Sequence, residues 1–252
     1  MSFFADADAY DRFMGRYSGP LAPQLADLAG LQAGQRAVDV GCGPGALTTE
    51  LVARLGAEAV ADADPSEPFV EAARRRHPGV EVVVAGAEQL PFADDRFDAA
   101  LAQLVVPFMA DPVAGLSEMR RVTRDGGVVA ASAWDHGGAR TPMSVFWAAV
   151  HELDPDAPDE TGQPGAREGH LAELLEAAGL RRVEAAALHV SRVHPTFEDW
   201  WQPLTRGVGP SGRYLAGLDA DAAAELRQRC RELQGEEPFT VDTRAWAARG
   251  DA

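Results

Sequence analysis

The chain has 252 residues, 46% of them hydrophobic and 25% charged. That length can bury one sizeable core, and a composition near globular norms excludes a disordered or collagen-like chain. The formal charge of −16 opposes phosphate backbones and argues against DNA or RNA as the main partner.

All 23 residues counted as Lys or Arg are arginines. A chain without lysine lacks the amine that a Schiff-base enzyme, a P-loop NTPase or a Tyr-x-x-x-Lys dehydrogenase needs. The two cysteines, Cys42 and Cys230, and the six scattered histidines offer neither a disulfide framework nor metal-ligand spacing. No apolar run approaches the roughly 20 residues that cross a bilayer, and the start is acidic and aromatic rather than basic. The expectation is a cytoplasmic protein, monomer or homodimer, with no membrane partner.

An aromatic stretch from Phe3 to Tyr17 leads into an expected helix over Leu21–Leu31. Arg36–Val40 reads as a buried strand, followed by Gly41-Cys42-Gly43-Pro44-Gly45 and a helix over Ala46–Leu55 with Leu47, Leu51 and Leu55 in helical spacing. Ala57–Ala63 is a second strand, Ser66 opens a helix through Arg76, and Val80–Val84 is a third strand. The basic run Arg74-Arg75-Arg76 falls at that helix's C-terminal end, where it complements the dipole. A loop over residues 86–96 precedes a nearly continuous apolar strand, Phe97–Val106. Asp111 is placed to cap a helix over Pro112–Val122, with Pro112 at its first position. Thr123–Gly127 reads as a turn and Val128–Trp134 as a fifth strand.

Beyond that, Thr141–Leu153 is helical and Asp154–Arg167 is a loop rich in Pro, Asp and Gly, expected to be mobile. A helix over Gly169–Ala178 ends at Gly179, and Arg182–Val193 is a strand. Thr196–Leu204 and Asp219–Leu233 are helical, and Phe239–Ala248 closes the chain as a strand. Repeated strand–helix–strand units imply a doubly wound α/β sheet in a single domain over 1–252.

The glycine turn carries the chemistry. Glycines there let the backbone pass close under a ligand, and the next helix offers free N–H groups and a positive dipole end. Asp64 follows at the end of the second strand, where an acid can accept ribose hydroxyls. Gly41, Gly43 and Ala46 also satisfy the G-x-G-x-x-A dinucleotide fingerprint, so this turn alone leaves NAD open. Three details point elsewhere. Asp39 precedes the glycines, where it suits an ammonium and opposes a pyrophosphate. Pro44 removes an amide donor. Glu88, or the amide of Ala87, follows the third strand, where an adenine edge would lie. Ammonium, ribose and adenine together describe S-adenosylmethionine.

V-D-V-G-C-G-P-G-A-L-T, A-D-P-S-E-P-F-V-E-A-A-R, A-G-A-E-Q-L-P-F-A-D-D-R-F-D-A-A-L-A-Q and D-P-V-A-G-L-S-E-M-R-R-V-T-R-D-G-G-V-V resemble the corresponding segments of the class I S-adenosylmethionine-dependent methyltransferases. The likeness is narrower to their type 11, UbiE-like small-molecule branch and covers most of the chain. It implies a seven-stranded Rossmann-like sheet with an antiparallel last strand. On that basis Asp39, Gly41, Cys42, Gly43, Asp64 and Pro65 fall at cofactor positions, joined by Ala87, Glu88, Gln103 and Leu104. Y-D-R-F-M-G-R-Y also resembles the branch's N-terminal segment, making residues 1–33 a cap over the cofactor with Tyr10 and Arg16 as candidates. Residues 135–215 supply a lid and acceptor-pocket elements.

Departures matter too. A histidine pair that serves some relatives as base is Pro107-Phe108 here, so no catalytic residue is assigned. Asp62 replaces the usual small residue. His136, His151, His189 and His194 are each weighed as bases and read as ordinary packing or surface residues. Methyl transfer tolerates this, because orientation in a dry site contributes ~7–11 kcal/mol without a charged catalyst. The expected function is transfer of a methyl group from S-adenosylmethionine, leaving S-adenosylhomocysteine, to a small apolar or aromatic acceptor. The alternatives are an NAD(P)-dependent oxidoreductase and a non-catalytic cofactor-binding regulator.

Overall fold

Short runs of small and β-branched residues, each bounded by glycine, proline or aspartate, build the centre of the molecule. In the computed structural model, which describes residues 7–252, they form one seven-stranded sheet. The strands are β1 (Ala37–Val40), β2 (Val60–Asp64), β3 (Glu81–Val84), β4 (Phe97–Gln103), β5 (Thr123–Trp134), β6 (Arg181–His194) and β7 (Phe239–Asp251). Their order is β3-β2-β1-β4-β5-β7-β6. The first five pair in parallel, and β7 lies antiparallel between β5 and β6. The mostly parallel, Rossmann-like sheet with an antiparallel last strand is as expected.

Helices α1 (Ala7–Tyr10) and α2 (Arg16–Ala29) precede β1, α3 (Ala46–Leu55) follows it, and α4 (Glu67–Arg76) follows β2. α5 (Pro112–Val122) joins β4 to β5. α6 (Ser144–Leu153) and α7 (His170–Ala177) lie between β5 and β6, and α8 (Phe197–Trp201), α9 (Gly209–Ala216) and α10 (Ala220–Gln234) between β6 and β7. Period-two alternation along the strands feeds two cores. Ala37, Ala99 and Leu101 face Tyr17, Leu21, Leu47 and Leu51 of α2 and α3. Val38, Ala100 and Val129 face Leu116 and Met119 of α5 and Leu171 of α7. Each such buried leucine contributes ~1.5–3 kcal/mol. A third core gathers at the start of β7, where Phe239 packs with Phe13, Phe146, Trp147, Phe197, Trp200 and Trp201.

Several boundaries differ from the sequence reading; β2, for one, begins at Val60 rather than Ala57. α2 begins at Arg16 and runs through Pro20 and Pro23, because the buried stripe Tyr17, Leu21, Leu25 outweighs the proline signal. Thr123–Gly127 is not a turn; it opens β5, with Gly126 in the left-handed region. β4 stops at Gln103, since Leu104 takes a φ of +63° and breaks the pleat. α9, which no periodicity announced, follows a glycine-rich stretch. The expected contributions of Phe3 and Phe4 lie outside the described residues. Among the described residues, no helix is long and apolar enough to cross a membrane.

Candidate active site

The parallel register of β1 and β2 sets Asp39 beside Asp62 and Val40 beside Ala63. Because successive side chains alternate, Asp39 and Asp62 point to the same face, the one that α3 covers. Thr48 of α3 meets both: its hydroxyl lies 2.9 Å from Asp39 Oδ2 and 3.0 Å from Asp62 Oδ2. One hydroxyl carries one proton, so it donates to one carboxyl, and the other contact requires a proton on the second carboxyl. Burial pushes both acids' pKa values up, and each is raised further by a neighbouring carboxylate. Among the described residues Asp62 Oδ1 is buried without a hydrogen-bond partner. Asp62, read from sequence as a polar contact or an exposed residue, is fully buried. Its spacing of two from Asp64 is the signal that puts it beneath the glycine turn.

Asp64 ends β2 and ties the turn together, accepting from the Gly43 amide at 2.9 Å and the Ser66 amide at 2.8 Å. Burial raises its pKa, and those two amides counter the rise. Ser66 stands at the start of α4 but does not cap it with its side chain. The turn itself depends on glycine. At Gly41 φ is +75° and a Cβ would come within 2.5 Å of the Val105 methyls. At Gly43 φ is +54° and a Cβ would meet nothing within 4 Å, leaving open space beside the backbone. Supports missed in the sequence come from α4: Arg76 donates to the Pro44 carbonyl at 2.8 Å and pairs with Asp11, while His77 packs against Gly45. Arg76 thus links the N-terminal segment to the turn, beyond complementing a helix end.

A cavity of about 820 Å³ opens above this turn. Eleven of the twelve sequence candidates line it: Tyr10, Asp39, Gly41, Cys42, Gly43, Asp64, Pro65, Ala87, Glu88, Gln103 and Leu104. Arg16 does not. Its guanidinium is turned to Asp199, reaching the carbonyl at 2.8 Å and the carboxylate at 3.1 Å. Cys42 packs with Val70, Ala73 and Val82, and burial holds its thiol pKa well above the ordinary value, as suits a filler. Glu88 accepts from the Ala110 amide at 2.7 Å, fixing the loop beside the cavity. Gln103 donates to the Ser18 carbonyl at 3.0 Å, and its buried Oε1 has no hydrogen-bond partner among the described residues. Leu104 holds its left-handed backbone with an amide bond to Ser132 O at 2.9 Å.

A second cavity, about 310 Å³, adjoins the first. Tyr10, Phe69, Leu104, Pro107, Phe108, Glu160, Pro210 and Arg213 line both, so the two meet at a neck that is apolar but for Glu160 and Arg213. Tyr10 meets Phe69 edge-on at 5.3 Å, and burial pushes its phenol pKa up. Phe13, Trp134, His136 and Met143 belong to the smaller cavity alone. Residues 158–160 of the Pro/Asp/Gly loop line the larger one, a role its composition did not disclose. Among the described residues, no three His, Cys, Asp or Glu side chains are grouped to hold a metal ion.

Residues 38–131 match a family model described as a methyltransferase domain. The chain is 34% identical over 184 residues to a demethylmenaquinone methyltransferase of Mycobacterium sp. strain KMS, covering 71% of this chain and 75% of that one. It is 33% identical over 224 residues to a malonyl-[acyl-carrier protein] O-methyltransferase of Pseudescherichia vulneris, covering 81% and 85%. The structure of a SAM-dependent methyltransferase from Thermotoga maritima superposes with a TM-score of 0.53 at 20% identity, over 97% of this chain and 98% of that one. The chain therefore belongs to the class I S-adenosylmethionine-dependent methyltransferases, in their small-molecule branch.

Proposed function

We propose that this enzyme binds S-adenosylmethionine in the larger cavity and methylates a small apolar or aromatic acceptor held in the smaller one. The observation that carries the reading is a pair of adjoining cavities: the glycine turn with Asp39 and Asp64 lines only the larger, and Phe13, Trp134 and Met143 line only the smaller. The lining fits the cofactor. Gln103 Oε1 is a buried acceptor without a donor, and the backbone at Gly43 leaves room for a ligand. Carboxylates under a helix N-terminus suit a group that is cationic at one end.

The bound cofactor supplies a methyl group already activated on a sulfonium. Asp64 retains lone pairs beyond those that bond Gly43 and Ser66, and these take the ribose hydroxyls. Asp39 and Gln103 hold the ammonium end. Ala87 and Glu88 flank the adenine. Tyr10, Phe69 and Phe108 close the neck against water and align the acceptor with the methyl, which is the main source of rate.

Calorimetric titration tests the cofactor half. S-adenosylmethionine and S-adenosylhomocysteine are expected to bind and NADH is not; NADH binding without either would reverse the assignment. Incubation with methyl-labelled cofactor and metabolite extracts tests the transfer half, and label is expected in an apolar product.

A further inference from the structure

The smaller cavity holds a titratable pair that the cofactor reading does not use. His136 and Glu160 both line it, with side chains only 12% and 11% exposed, and His136 Nδ1 lies 4.0 Å from Glu160 Oε2. Each is held from behind. His136 follows Asp135, a buried carboxylate gripped by Arg244 at 2.6 Å and by Trp246 Nε1 at 2.9 Å. The turn after it is pinned by Gly137 N to Ala166 O at 3.0 Å. Glu160 accepts from Trp147 Nε1 at 2.8 Å. Among the described residues neither ring nitrogen of His136 makes a hydrogen bond, so an imidazole whose backbone flanks are held faces the cavity with its lone pair unused.

We propose that His136 is the general base of this methyltransferase, acting on the hydroxyl of a planar aromatic acceptor, with Glu160 as its positioning residue. The inference rests on the reading that the cofactor fills the larger cavity. Glu160, 4.0 Å from Nδ1 and beyond hydrogen-bond reach, favours a proton on that nitrogen by charge alone, leaving Nε2 as the proton acceptor. An oxygen lone pair of the acceptor forms the new O–C bond, and the C–S pair leaves with sulfur, which becomes a neutral thioether. The hydroxyl proton passes to Nε2. One positive charge disappears from sulfur and one appears on imidazole, next to a carboxylate.

Burial lowers the His136 pKa to about 4, with Asp135 and Asp159 opposing the shift. The ring is therefore neutral near pH 7, a weak acceptor at rest that takes the proton only as the hydroxyl turns acidic on attacking the methyl. Arg206, Arg213 and Tyr10 also line the cavity; burial raises the Glu160 pKa, and the Trp147 hydrogen bond and then Arg213 favour its ionised form. The aromatic rings of Phe13, Phe69, Phe108 and Trp134 set the acceptor class: a flat ring stacks or meets them edge-on.

The test uses the full chain, methyl-labelled S-adenosylmethionine and a series of para-substituted phenols, from strongly acidic 4-nitrophenol to weakly acidic 4-ethylphenol. Wild type is expected to label the series. His136→Gln should lower kcat on 4-ethylphenol by about 10²–10⁴-fold, the usual worth of a general base. KM and cofactor affinity should hold. The loss should shrink steadily towards 4-nitrophenol, which ionises unaided. Glu160→Gln should give a smaller fall, partly rescued in Glu160→Asp. An equal loss for every phenol would mark His136 as structural and overturn the proposal. So would a wild type that binds S-adenosylmethionine yet labels no phenol, and the cofactor reading would then survive. Failure to bind the cofactor at all would sink both.

Discussion

Beneath the glycine turn, the protein buries charge; above it, the protein buries rings. The floor comprises Asp39, Asp62 and Asp64 on two adjacent strands, each at most 6% exposed, held by one hydroxyl and two amides. The cap is built from Phe146, Trp147, Phe197, Trp200 and Trp201, packed edge-on, tilted or stacked at 5.2–6.3 Å. Apolar burial stabilises the fold, whereas buried carboxylates cost free energy unless something compensates them. On the proposed reading, binding specificity lies in the polar floor and stability in the apolar roof. Substitutions in the two regions should therefore separate affinity from folding.

The largest effect is expected in the roof. Phe146 is fully buried and meets Trp147 at 5.2 Å and Tyr214 at 6.2 Å. Phe146→Ala should destabilise the protein by ~3–5 kcal/mol, read as a lower urea midpoint. At a temperature where the variant is still folded, its affinity for S-adenosylmethionine should stay within about tenfold of wild type. A collapse of affinity in the folded variant would show that roof and floor act as one unit.

Gly41→Ala should weaken the floor by ~2–4 kcal/mol, because a left-handed φ and a clash with Val105 add. Thermal melting should register the loss, and cofactor affinity should fall with it. Asp64→Ala follows in size. It unties the Gly43 and Ser66 amides and removes the ribose acceptor, and calorimetry should find affinity reduced by ~1–3 kcal/mol. Unchanged affinity would refute the ribose assignment.

The two regions also differ in how far their sequences disclose them. In the floor, each side chain's direction follows from strand period and each glycine from backbone need, so Asp39, Gly41 and Asp64 could be placed together from spacing. The parallel register that pairs Asp39 with Asp62 is a tertiary fact, and so is the hydroxyl of Thr48 between them. The roof is assembled from segments far apart: Phe13, Phe146, Phe197 and Phe239 meet across more than two hundred residues of chain. No local periodicity encodes such meetings, and none brings His136 beside Glu160. Arg16 illustrates the reverse. Its motif suggested the cofactor, but Asp199, contributed by α8 near the far end of β6, draws it away.

The smallest effect tests whether the floor is destabilised for the sake of binding. Asp62 is an acid whose folded pKa is raised above its unfolded value by burial and by Asp39. The folded state therefore holds a proton that the unfolded chain releases. The stability this gives is fully present below the ordinary carboxylate range and is lost as pH rises through the folded value. Asp62→Asn removes that dependence while its side-chain amide can still donate to the Thr48 hydroxyl. The variant should lose less melting temperature than wild type between about pH 5 and about pH 8, and at the upper end be more stable by ~1–2 kcal/mol, or roughly 2–8 °C. A cationic ligand above the turn favours the ionised pair, so in wild type cofactor binding should strengthen as pH rises over the same interval, with proton release detectable by calorimetry in buffers of different ionisation heat. Parallel melting curves for the two proteins would mean that Asp39 alone carries the proton, and the strain would then belong to β1 rather than to the pair.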